Sequence, residues 1–489
     1  MNENEIKEKT IKGLFWKFVE RIFSQLISFV VSIILARILM PEDYGLIALV
    51  IIVINLLGVF VNSGLGTSLV QKKEVDNADY STLFWSNLCI SILIYTLIYI
   101  LAPFIANIYN NQTIIYILRI MGLNIPIMAI YSIQQAYMQR NMLFKKLLYS
   151  TIIGSIISAI VGISMAINGF GVWSLVWQYI TNTIINTIVL NFIIKLKPSF
   201  IFSKDRFKKL FSYAWRITVS SFIGTFFEQI RGIVIGTKYS STDLAFNNRG
   251  EQIPLVITNN INATMESVLF PSISKLQDDK EKVKRAMSRM IKTSSFILMP
   301  LLIGLFAVAE PVVKILLTDK WIECVPYLKI VCIQQCFSII NTINLQAIKA
   351  IGRSDIILKL EFIKKPILII IILLTMYISP IAICIGNAIY TVIALIINSF
   401  PNKKILNYSA KDQIYDILIY FVLSIIMGLI VLSLGKLNLD IVLLLIIQIT
   451  VGGVFYLCAS KLLKLDSYEY IKNTIKSYLK KGKANEENY

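Results

Sequence analysis

Three charged residues lie in the first half of the first hydrophobic segment, GLFWKFVERIFSQLISFVVSIILAR, which runs from Gly13 to Arg37. A charge within a membrane helix costs a few kcal/mol, so Lys17, Glu20 and Arg21 are expected to face water or a polar partner. At helical spacings of three and four, a polar stripe continues through Ser24, Gln25, Ser28 and Ser32. The stripe predicts a water-filled cavity. A lysine that reaches the lipid headgroups and a polar seam between helices are the alternatives.

A second charged stripe lies on the seventh hydrophobic segment, at the same helical spacing. Its members are Arg216, Ser220, Gly224, Glu228 and Arg231. An internal Glu228–Arg231 ion pair is an equal alternative to a ligand role for those two residues. Together the two segments predict a cavity between two halves of the protein. Its excess of positive charge suits an anionic substrate, phosphate above all. The charged residues of this predicted cavity are Lys17, Arg21, Arg216 and Arg231, with Glu20 and Glu228 for coupling or pairing.

Composition sets the class of protein. Of 489 residues, 56% are hydrophobic and 16% are charged, and the mean hydropathy is +0.70. Soluble domains carry about 25% charged residues, so a polytopic membrane protein is predicted. Cytoplasmic loops rich in Lys and Arg explain the net charge of +19, and no nucleic-acid partner is expected. Histidine is absent and the six cysteines form no CxxC pair. Histidine catalysis is thereby excluded, and no metal or cofactor is predicted.

Hydrophobic segments of spanning length predict an all-α integral membrane protein with about fourteen transmembrane helices. Positive charges concentrate in alternate loops, which places both termini in the cytoplasm for an even number of spans. The predicted spans are 14–38, 44–69, 81–109, 113–138, 147–168, 172–194, 212–237, 250–274, 291–317, 325–348, 356–378, 381–400, 413–434 and 438–460.

Short matches in preserved order indicate an internal duplication. They pair Trp16-Lys17 with Trp215-Arg216, Pro103 with Pro311, and Gln135-Ala136 with Gln346-Ala347. Two six-helix lobes in a pseudo-two-fold parallel repeat, with two extra C-terminal helices, are therefore predicted, which is a transporter architecture. The predicted segments are an N-terminal lobe at 1–196, a cytoplasmic linker at 197–211, a C-terminal lobe at 212–402, two additional helices at 403–462 and a basic cytoplasmic tail at 463–489.

Several stretches resemble the bacterial oligosaccharide flippases, the Wzx-like polysaccharide transporters of the MOP superfamily, in particular the colanic-acid and teichuronic-acid branch. The resemblance is carried by ILMPEDYGLIAL, GTSLVQKK, LAPFIANIY and QAYMQRNMLFKKL in the first half, and by EQIPLVITNNINATMESVLFPSISKLQDD in the second. The segment LAFNNRGEQIP lacks the Gly and Tyr of the Gly-Tyr-x-x-Arg-Ala pattern of the family, but Arg249 matches its arginine.

The resemblance implies a non-enzymatic flippase in the bacterial cell membrane. Its substrate would be an undecaprenyl-diphosphate-linked oligosaccharide, moved to the outer leaflet by alternating access for capsule, O-antigen (lipopolysaccharide), teichuronic-type polymer or exopolysaccharide. Polymerases and glycosyltransferases of the same pathway are the implied protein partners, and the phospholipid bilayer surrounds the chain. The residues predicted to bind substrate are Lys17, Arg21, Gln25, Arg216, Arg231 and Arg249.

Two other functions are compatible with a polytopic helical protein. A drug or cation antiporter of the same superfamily should concentrate acidic groups in its cavity, whereas basic residues outnumber acidic ones on both charged segments. A membrane polymerase or acyltransferase needs general acid–base groups in an outer loop, and here the outer loops are short. The flippase is the preferred prediction.

Overall fold

Helices account for all regular secondary structure in the residues that this computed structural model describes, namely 3–72, 74–194, 198–274, 276 and 279–473. The chain divides into two compact units, Met1–Ala245 and Phe246–Tyr489. The first unit contains α1 (Glu3–Ile38), α2 (Pro41–Asn62), α3 (Leu65–Gln71), α4 (Asn77–Ile108), α5 (Thr113–Gly122), α6 (Asn124–Arg140), α7 (Phe144–Ile167), α8 (Val172–Ile194) and α9 (Lys204–Lys238).

The second unit begins within α10 (Ser241–Ser274). It continues with α11 (Lys280–Ala307), α12 (Ala309–Leu317), a short 3₁₀ turn (Asp319–Cys324), α13 (Val325–Cys336), α14 (Ser338–Ala350), α15 (Ser354–Thr375), α16 (Pro380–Leu406), α17 (Ala410–Leu434) and α18 (Ile441–Leu462).

A helix or a broken helix occupies each of the fourteen predicted spans, and the predicted all-α class is confirmed. Among the described residues, ten helical segments are long and apolar enough to cross a membrane. The segments that fall short are α8, α9, α10 and α15, which carry amides or charges along their length. The figure of fourteen spans therefore stays a prediction.

Pro and Gly punctuation separates the helices where the sequence predicts it. Pro41 is the first residue of α2, where its missing N–H leaves no hydrogen bond unmade, and the N–H of Met40 donates to Asp43 Oδ2 at 3.1 Å. Gly169 and Gly171 adopt φ values of +79° and +53° between α7 and α8, a region that glycine enters without steric cost. Ser379 caps α16 by accepting the N–H of Ala382 at 3.0 Å.

Two helix breaks fall at corresponding places in the predicted duplication. One predicted span breaks at Leu123 into α5 and α6, and another breaks at Phe337 into α13 and α14. Each break lies between the matched proline (Pro103 or Pro311) and the matched Gln-Ala pair. Both halves of the chain thus interrupt the same span, which supports the duplication.

The predicted linker and tail contain helical residues. The helix α9 begins at Lys204, inside the segment 197–211. Within the first unit, the indole N–H of Trp85 donates to Ser199 O at 3.0 Å, and its ring stacks on Phe200 with centroids 4.9 Å apart. Residues 466–473 of the predicted tail are helical, and 474–489 lie outside the described residues. The lobe boundaries stay predictions.

Candidate functional site

A cavity of about 460 Å³ opens among four helices of the first unit. Such a volume is within the usual range for small-ligand sites. Each helix contributes one face, with lining positions three or four residues apart, so the cavity follows directly from helical periodicity. The lining residues are Ser24, Ile27, Ser28 and Val31 of α1; Tyr44, Ile47 and Ile51 of α2; Thr151, Ser155 and Ser158 of α7; and Leu175, Gln178, Tyr179, Asn182 and Thr183 of α8.

The lining of this first-unit cavity is polar but uncharged. Ten of its fifteen residues carry a hydroxyl or an amide, and none of these fifteen is Asp, Glu, Lys or Arg. Hydroxyls and amides both donate and accept hydrogen bonds, and the two tyrosines add aromatic faces. This is the chemistry that matches a neutral polyhydroxyl compound such as a sugar, and it offers no counter-ion to a cation.

A ladder of side-chain hydrogen bonds fixes the α7–α8 wall of the cavity. Ser150 Oγ donates to Asn186 Oδ1 at 3.2 Å, and Asn186 Nδ2 donates to Asn182 Oδ1 at 3.0 Å. Asn182 Nδ2 then donates to Ser158 Oγ at 3.2 Å. Because each amide orients the next, the polar groups of this wall are held in place before any ligand arrives.

Two glycines allow α7 and α8 to approach closely enough for this ladder. A Cβ at Gly154 would lie 2.5 Å from Asn186 Oδ1, and one at Gly162 would lie 2.9 Å from Gln178 Cβ. Both distances are shorter than side chains tolerate. Small residues at helix interfaces are the usual device for close packing and interhelical hydrogen bonds in membranes.

The predicted stripe on α1 is divided between cavity and surface. Ser24 and Ser28 line the cavity, whereas Gln25 is half-buried and is not among the lining residues. Arg21 and Lys17 lie one and two turns further toward the N-terminus on the face of Ser24. Arg21 is half-buried, and the exposed Lys17 places its ammonium 5.9 Å from the centroid of the Phe144 ring. Glu20 is half-buried.

The predicted residues on α9 do not line the first-unit cavity. Arg216 and Glu228 are exposed and Arg231 is half-buried. The guanidinium carbon of Arg216 lies 6.0 Å from the ring centroid of Trp215. Their contact with substrate stays a prediction.

Arg249 lies in the second unit, in a buried setting. Its side chain is 7% exposed and its guanidinium carbon lies 5.2 Å from the ring centroid of Trp321. It also donates to Gln252 Oε1. Stacking and a charge-assisted hydrogen bond stabilise a buried arginine, so these contacts give Arg249 a packing role. Its predicted role in substrate binding stays a prediction.

Three further charged residues within the predicted spans have partners. Lys314 Nζ lies 2.9 Å from Glu310 Oε1, one turn away on α12. Arg119 packs its guanidinium carbon 4.1 Å from the centroid of the Tyr99 ring.

The sequence did not predict one buried carboxylate of the first unit. Asp79, at 1% exposure, forms ion pairs with Lys72 at 2.5 Å and with Arg206 at 3.0 Å. Arg206 also pairs with Asp76 at 2.6 Å. The backbone N–H of Asp79, followed by Arg206, holds the pKa of Asp76 below its ordinary value. These ion pairs join α4 to the start of α9, so Lys72, Asp76, Asp79 and Arg206 form a structural clamp.

The chain is similar to two named bacterial proteins over most of its length. It is 24% identical over 331 residues to the succinoglycan biosynthesis transport protein ExoT of Rhizobium meliloti, covering 68% of this chain and 67% of ExoT. It is 23% identical over 430 residues to the lipopolysaccharide biosynthesis protein WzxC of Escherichia coli, covering 86% of each chain.

Solved structures share its fold. The lipid II flippase MurJ in an inward closed conformation matches with a TM-score of 0.76 and 16% identity, over 92% of this chain and 99% of MurJ. An inward-facing multidrug resistance MATE family transporter of the MOP superfamily matches with a TM-score of 0.60 and 14% identity, over 78% of this chain and 94% of the transporter. At such identities the likeness establishes the fold.

A family model described as polysaccharide biosynthesis protein matches residues 34–326. This range begins near the end of α1 and contains all of α2, α7 and α8, three of the four helices around the first-unit cavity. The resemblance in the sequence is confirmed. The chain belongs to the polysaccharide biosynthesis protein family.

Proposed function

We propose that the chain is a flippase that moves an undecaprenyl-diphosphate-linked oligosaccharide from the cytoplasmic to the outer leaflet of the bacterial cell membrane. The uncharged, hydroxyl- and amide-lined cavity of the first unit carries this proposal. Family membership and the transport function in the name of ExoT support it.

The physical problem for such a protein is the hydration of the glycan. Each hydroxyl that enters an apolar environment without a hydrogen-bond partner costs about 1–3 kcal/mol. The serines, threonines and amides of the cavity provide alternative partners within a bundle whose outer face is apolar. Phe15 and Val30 of α1, for example, are more than half exposed on the side away from the stripe.

Lys17 and Arg21 suit the diphosphate end of the same substrate. At 1.5 Å per residue, they lie roughly 10 Å and 4.5 Å from Ser24 along α1. Arginine binds phosphate with two parallel hydrogen bonds. The proposal therefore places the diphosphate beside these cations and the first sugars in the neutral cavity, while the prenyl chain stays in the bilayer. Gln25, Arg216, Arg231 and Arg249 remain proposed contacts along the path, with Glu20 and Glu228 as coupling or pairing residues.

The translocation step is proposed to be alternating access, with both termini in the cytoplasm. Because the cytoplasmic side of the membrane is negative, the membrane potential favours outward movement of an anion. Polymerases and glycosyltransferases of the same pathway are proposed protein partners.

A cation antiporter is the second candidate, since a MATE transporter shares the fold. Binding a cation inside a membrane protein calls for acidic groups, and the fifteen residues around the first-unit cavity include none. An enzymatic role has less support, because ExoT is named as a transport protein and MurJ as a flippase.

The test is a lipid extract from cells that lack this chain, complemented with wild type, Arg21→Ala, Arg21→Lys or Arg37→Ala. Arg37 lies on the same helix on the opposite face, so its removal is the matched control at equal membrane abundance. We expect a polyprenyl-diphosphate oligosaccharide to accumulate in the deletion strain and with Arg21→Ala. Wild type and Arg37→Ala should clear it, and Arg21→Lys should clear it in part.

An unchanged lipid pool in the deletion strain, together with increased sensitivity to cationic dyes, would favour the antiporter. A further outcome is that the lipid-linked oligosaccharide accumulates in the deletion strain and is cleared by Arg21→Ala as well as by wild type. That result would support the flippase function but show that Arg21 does not contact the substrate.

A further inference from the structure

A second cavity, of about 920 Å³, lies in the second unit between the first turns of α11, the first turns of α17 and residues 466–470. Lys284, Arg285 and Arg289 face it from α11, and Lys411 faces it from α17. These positions flank long apolar runs that begin at Phe296 and Ile417. The cavity therefore lies at the end of the helices that the charge distribution predicts to face the cytoplasm.

Two of the four acidic residues of this second-unit cavity, Asp416 and Asp412, are engaged in internal contacts. Asp416 accepts hydrogen bonds from Ser288 Oγ at 2.5 Å and Tyr408 OH at 2.6 Å, and pairs with Lys292 Nζ at 3.2 Å. Asp412 accepts the N–H of Ser409 at 2.9 Å. The lining has five basic and four acidic residues. Lys292 is paired with Asp416, and Lys284, Arg285, Arg289 and Lys411 share the cavity with Asp412, Glu281 and Asp466, so basic side chains are in slight excess.

Four basic residues of the lining have hydrogen-bond donors available for a ligand. Within the described part of the chain, Lys284, Arg285, Arg289 and Lys411 form no ion pair. Arg289 lies with its guanidinium carbon 5.7 Å from the centroid of the Tyr470 ring. Arg285 uses its Nε–H to donate to Glu281 O at 3.3 Å, and its terminal N–H groups remain for a ligand. A guanidinium has five donors in a fixed plane and matches the geometry of a phosphate.

An apolar surface continues from this cavity along α17. Ile414 and Leu418 line the cavity and are 42% and 46% exposed. Val422 and Leu429 extend the same exposed face by two further steps of helical spacing. A ligand that binds here would meet charged donors at one end and a hydrocarbon surface at the other, which is the pattern of an amphiphile and not of a soluble ion.

We propose that the second-unit cavity binds the phosphate headgroup of an anionic membrane phospholipid, with its acyl chains along the exposed face of α17. Basic pockets between transmembrane helices on the cytoplasmic side are suited to such headgroups. Soluble phosphate has the same anionic chemistry but would make no use of Ile414 and Leu418. The site is separate from the first-unit cavity and does not depend on the proposed transport substrate.

The test uses the full-length chain in detergent, with bound lipid measured by native mass spectrometry. The probes are phosphatidylglycerol and phosphatidylcholine with the same acyl chains, and inorganic phosphate is tested by thermal stabilisation at constant ionic strength. The variant is Arg285→Gln/Arg289→Gln. The matched control is Lys280→Gln/Lys282→Gln, which removes two charges from the same helix end, outside the cavity lining.

We expect wild type to retain phosphatidylglycerol in preference to phosphatidylcholine. The cavity variant should lose roughly 25-fold in affinity, at about fivefold for each removed charge, and the control less than about threefold. Equal losses in both variants would overturn the proposal in favour of general surface attraction. Equal retention of the two lipids would also overturn it. Stabilisation by inorganic phosphate without retention of phosphatidylglycerol would replace the lipid by a soluble anion.

Discussion

The two cavities of this protein are built from the same kind of element but from opposite chemistry. In the first unit, four helix faces present hydroxyls and amides with no charge among the fifteen lining residues. In the second unit, helix ends present five bases and four acids around a larger space. The depth of the polar groups differs as well. Ser158 and Ser155 of the first cavity are 3% and 8% exposed, whereas Arg285 and Lys411 of the second are exposed.

The burial of the polar side chains accounts for the different residue types in the two cavities. A buried charge needs a partner or it costs several kcal/mol, while a buried amide or hydroxyl needs only a hydrogen bond. The first-unit cavity therefore relies on the mutual hydrogen bonds of Ser150, Asn186, Asn182 and Ser158. The second-unit cavity is open to water and tolerates bases without ion pairs. This difference is consistent with the neutral, polyhydroxyl ligand proposed for the first cavity and the anionic headgroup proposed for the second.

The largest expected effect comes from placing a carboxylate in each cavity. Thr183 of α8 and Thr293 of α11 are both half-buried lining residues. Thr183→Asp should lower the stability of the chain by about 2.5–3.5 kcal/mol, the cost of an aspartate at the centre of a membrane helix. Thr293→Asp should change it by less than about 1 kcal/mol, because Arg289 lies one turn away. Thermal unfolding in detergent measures both.

Equal destabilisation by the two aspartates would contradict the view that the first cavity is suited to neutral ligands. If Thr183→Asp is tolerated and the variant exports cationic dyes, the first cavity accepts a cation once a carboxylate is supplied.

A smaller effect should follow from filling the close contact between α7 and α8. Gly154→Ala places a methyl group 2.5 Å from Asn186 Oδ1 and should destabilise the chain by about 1–3 kcal/mol through overpacking. Gly453→Ala on α18 is the control, because a Cβ there meets nothing within 4 Å. It should be neutral or stabilising by up to about 1 kcal/mol. Two similar melting curves would show that the ladder does not depend on this approach.

Local pattern was sufficient to predict the helices but not the sites. Hydrophobic runs and Pro or Gly punctuation located helical segments at all fourteen predicted positions, and spacing alone aligned Ser24 and Ser28 on the face that lines the first cavity. The partners of that face come from α7 and α8, whose serines and asparagines look like ordinary polar interruptions in an apolar run. Only the packing of helices distant in sequence shows that they meet.

The clamp around Asp79 illustrates the same limit. Asp79 follows shortly after the GTSLVQKK segment, yet nothing local indicates that it is 1% exposed or that Arg206 pairs with it from α9. The helix break at Phe337 also has no proline or glycine near it. Tertiary contacts determine the burial of such charges and the position of such helix breaks, so the local sequence does not predict them.

The smallest expected effect comes from replacing each threonine by valine, which removes the hydroxyl without adding charge. Thr183 Oγ1 donates to Tyr179 O at 3.4 Å, a long hydrogen bond, so the isosteric Thr183→Val should cost about 1 kcal/mol or less in stability. If the hydroxyl binds the glycan, clearance of lipid-linked oligosaccharide at low substrate should still fall by roughly 2- to 12-fold, the equivalent of one hydrogen bond of about 0.5–1.5 kcal/mol. Thr293→Val makes the same change in the second-unit cavity and should leave clearance unchanged. A loss of clearance in Thr293→Val alone would exchange the roles of the two cavities, because it would place the glycan among the charges and leave the uncharged cavity without a ligand.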